Sequence, residues 1–507
     1  MADYGMHSAK CLASFHFTRD HVEAVVAKSA LIIGSGPVGS TFARLLVGAG
    51  IDVTMIDAGG ERSSEVGRHL RNETIYQHNP DRFTDVIRSS AMRISVPSSR
   101  RSESDSHINP DQDPATNLGA SRAARAVGGM GIFWAGATPR THPVVEHIPF
   151  VDGDELSRLY GVAEKLLHTT TSAYEMSVQG RVVTERLNEA GYQVRQLPLA
   201  VERLSVDPPR VHWSGPEIIL KGGDRNAPSV ADDPRFTLLP EHLCTALVHS
   251  GRQVTGAVVR DLATGAERTL VADTFVVACG SVLTPQLLWA SGIRPDALGR
   301  YLCEQTMATC QVALSDDLAS RLDDGPNVVE PNLWIPVAEG RPWHAQLHRG
   351  IFGYAAVPDG VDRRTVTDLV WFSTCDVRRE NAVTFSDRVA DPYGLPQPTF
   401  HFGANVADRA RADDMVTDMA KAATALGKFL PGAEPAFLEA GFALHITGTT
   451  RMGADARESV VDPYAKVWGL DNLYLGGGGV IPAGVACNTT LTSMALAVRT
   501  AEAIAAG

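Results

Sequence analysis

The sequence lacks both a long apolar segment and an excess of basic residues. No apolar run reaches the length of about 20 residues that a membrane-spanning helix needs, so we expect no such helix. Asp and Glu number 58 against 46 Lys and Arg, which gives a formal net charge of −12. Nucleic acids and anionic membranes bind basic surfaces, so the sequence predicts neither as a partner.

Cysteine is scarce, and its pattern excludes two kinds of structural site. The 7 cysteines are scattered and form no C-x-x-C pair, which argues against a disulfide framework and against structural zinc. His142 and His147 lie close together but come without a third ligand, so we predict no metal site. Charged residues interrupt residues 1–29, so we expect no secretory signal. These absences predict a cytoplasmic protein with reduced thiols.

What the sequence does contain is a βαβ unit of the kind that binds a dinucleotide. Residues 31–61 run from an apolar strand through a glycine motif and a helical stretch to a second strand that ends at Asp57. Gly34 permits the tight turn, Gly36 lets a pyrophosphate approach backbone N–H groups, and Gly39 lets helix and strand pack closely. Asp57 can accept hydrogen bonds from ribose hydroxyls. The pattern predicts FAD or NAD without distinguishing them; the alternative is a tight turn with no ligand.

Two more glycine-rich turns lie far along the chain, at 128–131 and 476–484. Such turns are needed where backbone comes close to a flat, bulky ligand. A helix is predicted to follow the second turn, with Asn488 or Thr489 as its N-cap. Its positive end would stabilise the negative charge of a reduced flavin. An extended FAD that contacts all three turns is the ligand that this arrangement favours.

His445 is the candidate general base. It lies in a strand-like stretch before a glycine-rich turn, 43 residues before Asn488. Oxidation of an alcohol by a flavin needs a base for the hydroxyl proton while hydride leaves the carbon. An imidazole, with an ordinary pKa of about 6.5, suits that role. The alternative is a hydrogen-bonded core histidine without a catalytic role.

Longer segments carry a resemblance to a known family. They include NPDQDPATNLGASRAARAVGGMG (109–131), FWAGATPR (133–140), PWHAQLHRGIFGYAAV (342–357), DPYGLPQPTF (391–400), LHITGTTRMG (444–453) and DNLYLGGGGVIPAGVACNTT (471–490). With these segments the chain resembles the GMC flavoprotein oxidoreductases and, within them, the pyranose oxidases and bacterial glycoside 3-oxidases, C-glycoside oxidases among them. The resemblance implies FAD, a catalytic pair of His445 and Asn488, and Gln346 as a sugar contact. It also implies oxidation of a sugar ring hydroxyl at C2 or C3, with O2 or a quinone as electron acceptor.

Four positions depart from the fungal members that the chain resembles. Phe133 stands where those enzymes carry the histidine that bonds to the flavin, so FAD should be held non-covalently. Ala135 replaces a threonine beside the flavin. Gly350 and Val370 replace acidic and basic sugar contacts, which leaves a roomier, less polar pocket. A sugar or glycoside with a bulky aglycone is therefore favoured over free glucose.

The mechanism that we expect has a neutral His445 accept the hydroxyl proton while Asn488 orients the substrate oxygen. Alternatives are a pyranose 2-oxidase acting on free monosaccharides, a sugar dehydrogenase that uses quinones, an NAD(P)-dependent reductase, and a flavin-bearing binding protein without turnover. The candidate cofactor-binding residues are Gly34, Gly36, Gly39, Asp57, Gly128, Gly129, Met130, Ala135, Gly280, Gly477, Asn488 and Thr489.

The predicted fold class is α/β, with a Rossmann-like FAD-binding domain built from discontinuous segments and a substrate-binding domain built on a β-sheet. Strands between 236 and 270 are predicted to form a β-meander. The shorter length relative to the fungal enzymes favours a monomer or homodimer. The FAD-binding domain is assigned residues 1–150, 236–310 and 435–507, and the substrate-binding domain residues 151–235 and 311–434.

Overall fold

The structure is a computed structural model of the chain. It describes residues 28–73, 87, 89–100, 108–205, 210–323, 331–349 and 357–507. Gly350, where the sequence predicts the loss of an acidic sugar contact, lies outside the described residues. Within the described ranges, no helix combines the length and apolar character that crossing a bilayer requires.

The strands account for most of the architecture. In chain order they are β1 (Ser29–Ile33), β2 (Asp52–Ile56), β3 (Ala91–Arg93), β4 (Arg122–Ala124), β5 (Thr169–Thr170), β6 (Arg195–Gln196), β7 (Leu199–Leu204), β8 (Arg210–Trp213), β9 (Phe236–Leu239), β10 (His242–Ser250), β11 (Gln253–Asp261), β12 (Glu267–Leu270), β13 (Thr274–Val277), β14 (Thr306–Leu314), β15 (Asn332–Ile335), β16 (Trp343–His348), β17 (Val366–Ser373), β18 (Ala382–Ala390), β19 (Pro396–His401), β20 (Gly427–Phe429), β21 (Ala436–Phe437) and β22 (Leu473–Leu475).

The helices lie on the faces of the sheets. They are α1 (Pro37–Gly48), α2 (Gly153–Leu167), α3 (Val178–Glu189), α4 (Pro216–Leu220), α5 (Gly280–Ala290), α6 (Asp316–Ala319), α7 (Val406–Leu426) and α8 (Thr490–Ala506).

One of the two large sheets is parallel and has five strands, in the order β22-β13-β1-β2-β9. Its strands are buried on both faces: Leu31 belongs to one core cluster and Ile32 to the next. A parallel sheet covered on both faces needs such continuous apolar runs, which is why β1 has no polar alternation. The α/β fold class predicted from the sequence is confirmed.

The βαβ unit at the start of the described chain consists of β1, α1 and β2, as predicted. The helical spacing of the sequence begins at Ser40, and the helix itself begins three residues earlier, at Pro37. Proline is suited to this first position because its fixed φ matches the helix and its missing N–H would have no partner there.

The predicted β-meander is only partly correct. β10, β11 and β12 do form an antiparallel sheet of three strands. β9, however, pairs in parallel with β2 and extends the central sheet. Its Phe236 is buried in the core that α1 and β2 share, so packing rather than sequence proximity decides its partner.

Two helices close the faces of the parallel sheet. α8 contributes Leu491 and Met494 to one core cluster and Ala501 to the other. α2 packs against α8, and its Leu159 and Ala163 belong to the same cluster as α8. The domain boundaries remain a prediction, and this packing argues for moving α2 into the FAD-binding unit.

A second, largely antiparallel sheet has the order β20-β14-β17-β16-β15-β6, with β21 also paired to β14. Along β16, Ala345 and Leu347 join an apolar cluster to which α3 and α7 also contribute. Side chains alternate between the two faces of a strand, so His344, Gln346 and His348 lie on the opposite face. This alternation is what directs Gln346 away from the helices.

Candidate active site

The turn between β1 and α1 is built by close backbone approaches. Gly34 has a φ of +103°, and a Cβ there would lie 2.5 Å from the carbonyl oxygen of Ala278. A Cβ at Gly39 would lie 1.9 Å from the carbonyl oxygen of Gly34. A Cβ at Gly36 would meet only the Gly128 carbonyl, at 3.9 Å. Gly34 and Gly39 therefore serve packing, whereas Gly36 keeps the turn open.

Asp57 lies at the end of β2, beside this turn. Its carboxylate accepts hydrogen bonds from the backbone N–H and the hydroxyl of Ser35, at 3.0 and 2.6 Å, and from the N–H of Gly59 at 2.8 Å. Burial raises the pKa of Asp57, and these three donors oppose that effect. The residue stands where the sequence predicts a ribose-binding acid.

A cavity of about 240 Å³ extends from this turn to the first turn of α8. The other glycine-rich turns also reach it, although they are separated by hundreds of residues in the sequence. The predicted cofactor-binding residues that line it are Gly34, Gly36, Asp57, Gly129, Met130, Gly280, Gly477 and Thr489.

The remaining candidates lie next to this cavity rather than on its wall. Gly128 has a φ of +94° and donates its N–H to the Ser35 hydroxyl at 2.8 Å, which ties two of the turns together. Phe133 packs against the small cluster of Leu70, Ala126 and Ile132. Gly39 and Asn488 also lie off the wall, as does Ala135, for which the structure offers no role.

The far end of the cavity is formed by the start of α8. Thr489 is the N-cap residue, and its side chain makes no capping hydrogen bond. Thr489, Thr490 and Ser493 line the cavity. A helix N-terminus carries partial positive charge, so a group that becomes anionic is stabilised there. A dinucleotide turn at one end and a helix N-terminus at the other are the two features that an extended FAD requires at its ends.

His445 and Asn488, predicted as a pair, lie in hydrogen-bond contact with each other. The imidazole Nε2 is 3.2 Å from the Asn488 Nδ2. Gln346 donates from Nε2 to the Asn488 Oδ1 at 2.8 Å. Three residues from three distant segments therefore meet, and Leu444 and Thr489, their neighbours in the chain, line the cavity.

The backbone around His445 differs from the predicted strand. The segment is irregular, and Leu444 adopts a φ of +60°, which is unusual for a residue with a side chain. The backbone N–H of His445 donates to both carboxyl oxygens of Glu304 at 3.2 Å. The buried Glu304 side chain and a short backbone pairing of Thr447 with Cys303 thus hold this segment.

Sequence reasoning missed two buried residues that hold the pair. Gln305 accepts from the His445 Nδ1 at 2.8 Å and donates to the carbonyl oxygens of Val485 and Cys487 at 2.8 and 2.9 Å. Glu304 also accepts the N–H of Gln305 at 2.8 Å. In the sequence, Glu304 and Gln305 stand out only as a pair of polar residues directly before the apolar strand β14.

Glu146 was missed as well. One of its carboxylate oxygens accepts the N–H groups of Ala486 and Cys487 at 2.7 and 2.8 Å, and the other accepts the N–H of His142 at 2.7 Å. The segment 485–488 is therefore bound on one side by Glu146 and on the other by Gln305.

Burial sets the charges at the site. It lowers the pKa of His445 to about 4 and that of His344 to about 3, and it raises the pKa of Glu304 to about 8. The ring of Phe372 separates the two histidines, with its centroid 4.8 Å from His344 and 6.0 Å from His445. At neutral pH all three titratable groups are uncharged.

A larger cavity, of about 850 Å³, opens on the other side of segment 485–488. It is lined by Cys487 and Glu146, and it includes none of the predicted site residues. No group of three or more potential metal ligands occurs within the described part of the chain.

Comparison with known proteins identifies the family. Profiles described as GMC oxidoreductase match residues 216–307 and 377–497, and an FAD binding domain profile matches residues 27–77. A pyranose 2-oxidase from Tricholoma matsutake is 36% identical over 96% of this chain and 95% of its own length. The chain belongs to the GMC oxidoreductases. It is an FAD-dependent oxidoreductase that acts on CH–OH groups.

Two further relatives of this GMC oxidoreductase extend the comparison. A C-glycoside 3-oxidase from Microbacterium trichothecenolyticum is 34% identical over 94% of this chain and 96% of its own length. The crystal structure of pyridoxine 4-oxidase from Mesorbium loti superposes with a TM-score of 0.67 at 16% identity, over 94% of this chain and 99% of that one. That likeness supports the fold alone.

Replacing Gly39 with Ala should destabilise the dinucleotide turn and weaken FAD retention. The added methyl would collide with the Gly34 carbonyl, and overpacking of this kind costs about 1–3 kcal/mol. Thermal unfolding and the ratio of flavin to protein absorbance measure both effects. Gly48→Ala is the matched control: it lies in the same helix, and its added Cβ would meet nothing within 4 Å. Native stability and native flavin content in Gly39→Ala would contradict the packing argument.

Proposed function

We propose that this enzyme oxidises a secondary ring hydroxyl, at C3 or C2, of a sugar or glycoside, C-glycosides included, to a keto-sugar. The observation that carries the proposal is the set of contacts among Gln346, Asn488 and His445 beside the FAD cavity. The names of the two relatives, a pyranose 2-oxidase and a C-glycoside 3-oxidase, support the substrate class.

In this proposal His445 removes the hydroxyl proton through Nε2. Asn488 donates from Nδ2 to the substrate oxygen, and Gln346 fixes the orientation of the Asn488 amide by occupying its oxygen. Bound FAD supplies the acceptor for the hydride, and the electrons leave to O2, giving H2O2, or to a quinone. The Phe372 ring covers the imidazole on one side and helps to exclude water.

The wall beside Gln346 favours a substrate with an apolar substituent. Val370 lies directly opposite Gln346 on the neighbouring strand and packs with Met307 and Phe372. The partly buried Leu438 and Ala443 extend this apolar cluster. Leu438 and Ala443 keep part of their surface accessible, so a glycoside whose aglycone contacts them would bury apolar surface that a free monosaccharide does not offer.

A substrate panel tests the proposal. Free monosaccharides, O-glycosides and C-glycosides are mixed anaerobically with the enzyme while flavin absorbance is followed, and NMR locates the ketone in the product. We expect glycosides to bleach the flavin and to yield a keto product at C3 or C2, and His445→Ala to lose nearly all of this reduction. If no sugar or glycoside bleached the flavin, or if His445→Ala reacted at the native rate, the proposal would be wrong.

The same panel with O2 or benzoquinone as acceptor identifies the oxidant. Turnover with the quinone alone would favour a sugar dehydrogenase. A 2-keto product from free monosaccharides alone would favour a pyranose 2-oxidase.

The pH dependence of flavin reduction should report the lowered pKa of His445. The imidazole is neutral, and able to accept a proton, above its pKa of about 4. An ordinary histidine has a pKa of about 6.5. The rate should therefore stay constant as the pH is lowered through that value, and it should fall only as the pH approaches 4. Stopped-flow measurements after a pH jump avoid acid unfolding. A loss of rate centred near the ordinary histidine pKa would contradict this assignment.

We further propose that FAD is bound non-covalently, because Phe133 offers no nucleophilic nitrogen for a bond to the flavin. Acid precipitation should leave the yellow flavin in the supernatant, and the intact mass should equal that of the unmodified chain of 507 residues. Flavin that stays with the precipitate and raises the intact mass would overturn this.

A reducing compartment such as the cytoplasm is proposed on the basis of the cysteines. Each of the six described cysteines is a free thiol, and five of them are buried. Reducing conditions maintain such thiols.

A further inference from the structure

The Gln305 side chain has a fixed orientation. Its Nε2 lies 2.8 Å from the Val485 carbonyl oxygen and 2.9 Å from that of Cys487, so both of its hydrogens are donated. Turning the amide over would bring its own oxygen against two carbonyl oxygens. The side chain is buried, with 6% of its surface exposed, so water could not relieve that repulsion. The Oε1 of Gln305 must therefore face His445.

This orientation decides which imidazole nitrogen carries the proton. The His445 Nδ1 lies 2.8 Å from the Gln305 Oε1. An amide oxygen accepts hydrogen bonds and cannot donate them. Nδ1 must therefore carry the hydrogen in the neutral ring, which leaves the lone pair on Nε2.

The contacts on the other side of the ring agree with the same tautomer. Gln346 donates to the Asn488 Oδ1 at 2.8 Å, so the Asn488 Nδ2 is the atom that faces the His445 Nε2 at 3.2 Å. An amide nitrogen donates, and Nε2 must accept. The chain of hydrogen bonds then runs in one direction. Gln346 donates to Asn488, Asn488 to His445, His445 to Gln305, and Gln305 to the carbonyl groups of Val485 and Cys487.

We propose that Gln305 is a positioning residue, which holds His445 as its Nδ1–H tautomer and ties the imidazole to the backbone segment that carries Asn488. The expected effect of Gln305 on the rate rests on the proposed function. The tautomer of His445 and its tie to the backbone do not depend on which substrate the enzyme uses. On histidines that bind a metal, a partner that fixes the tautomer contributes roughly 10- to 100-fold, and we take this as the scale here.

The choice of an amide, rather than a carboxylate, has a chemical consequence. Within the described residues, the hydrogen bonds of the His445 ring go to two amides. The titratable groups nearby are Glu304, which accepts from the His445 backbone, and His344, which lies beyond Phe372. An amide fixes the tautomer without a negative charge that would stabilise the protonated ring. The base therefore stays neutral until a substrate offers its proton.

Two substitutions separate this role from simple packing. Gln305→Leu removes the acceptor, and we expect flavin reduction to slow by about 10- to 100-fold. Gln305→Glu keeps an acceptor at Nδ1, and its second oxygen faces two buried carbonyl oxygens, so the new carboxyl group should hold a proton there and stay neutral. We therefore expect Gln305→Glu to keep the native tautomer and to react faster than Gln305→Leu, whereas a residue that only filled space would give no such rescue.

Glu146→Gln is the matched control for the position of the segment. It disturbs the contacts to Ala486 and Cys487 from the opposite side and does not touch the imidazole. We expect it to lower the rate while leaving the His445 tautomer unchanged. A Gln305→Glu variant no faster than Gln305→Leu, or a Gln305→Leu variant with the native rate, would overturn the proposal.

A direct measurement needs no substrate. NMR of ¹⁵N-histidine-labelled holoenzyme in the oxidised state reports which nitrogen of each neutral ring is protonated, and comparison with His445→Ala assigns the signal. We expect Nδ1–H in the native protein and a mixture of tautomers in Gln305→Leu. A native Nε2–H signal would refute the proposal even if Gln305→Leu failed to fold. If instead the tautomer were as expected and no sugar reduced the flavin, only the proposed function would fail.

Discussion

The site depends on the position of one short stretch of backbone, residues 485–488. Its N–H groups are bound by the Glu146 carboxylate and its carbonyl groups by the Gln305 amide. Because the stretch leads directly into α8, these two buried side chains locate both the Asn488 amide and the positive end of that helix. The cofactor cavity and the proposed catalytic pair therefore share one support.

The two sheets contribute different things to this site. The parallel sheet brings the carboxyl ends of β1 and β2 together, so the dinucleotide turn and Asp57 meet at one edge, as in other open α/β sheets. The antiparallel sheet has one apolar face packed on helices, and its other face carries Gln346 beside the apolar residues Val370 and Phe372. Gln346 reaches Asn488 because it belongs to the second face.

Burial, rather than pairing of charges, sets the electrostatics around the base. Desolvation disfavours the charged form of any group, so it lowers the pKa of His445 and raises that of Glu304. Both groups are neutral near pH 7, so neither is a buried ion that would need a partner of opposite charge. An imidazole in this state takes up a proton only when an adjacent group offers one.

The sequence by itself determined the dinucleotide unit, because Gly34, Gly36, Gly39 and Asp57 act within about one βαβ unit and local spacing defines their roles. It also made His445 a candidate base and Asn488 a candidate N-cap, while the pairing of the two and the role of Gln346 were predicted only through a family resemblance. The tertiary structure decided what holds them. Gln305 lies 140 residues from His445, and Glu146 lies 341 residues from Cys487, so no local pattern links these partners. Contacts that form only when distant segments pack together leave no periodicity in the chain, and for that reason the positioning residues were found only in the folded molecule.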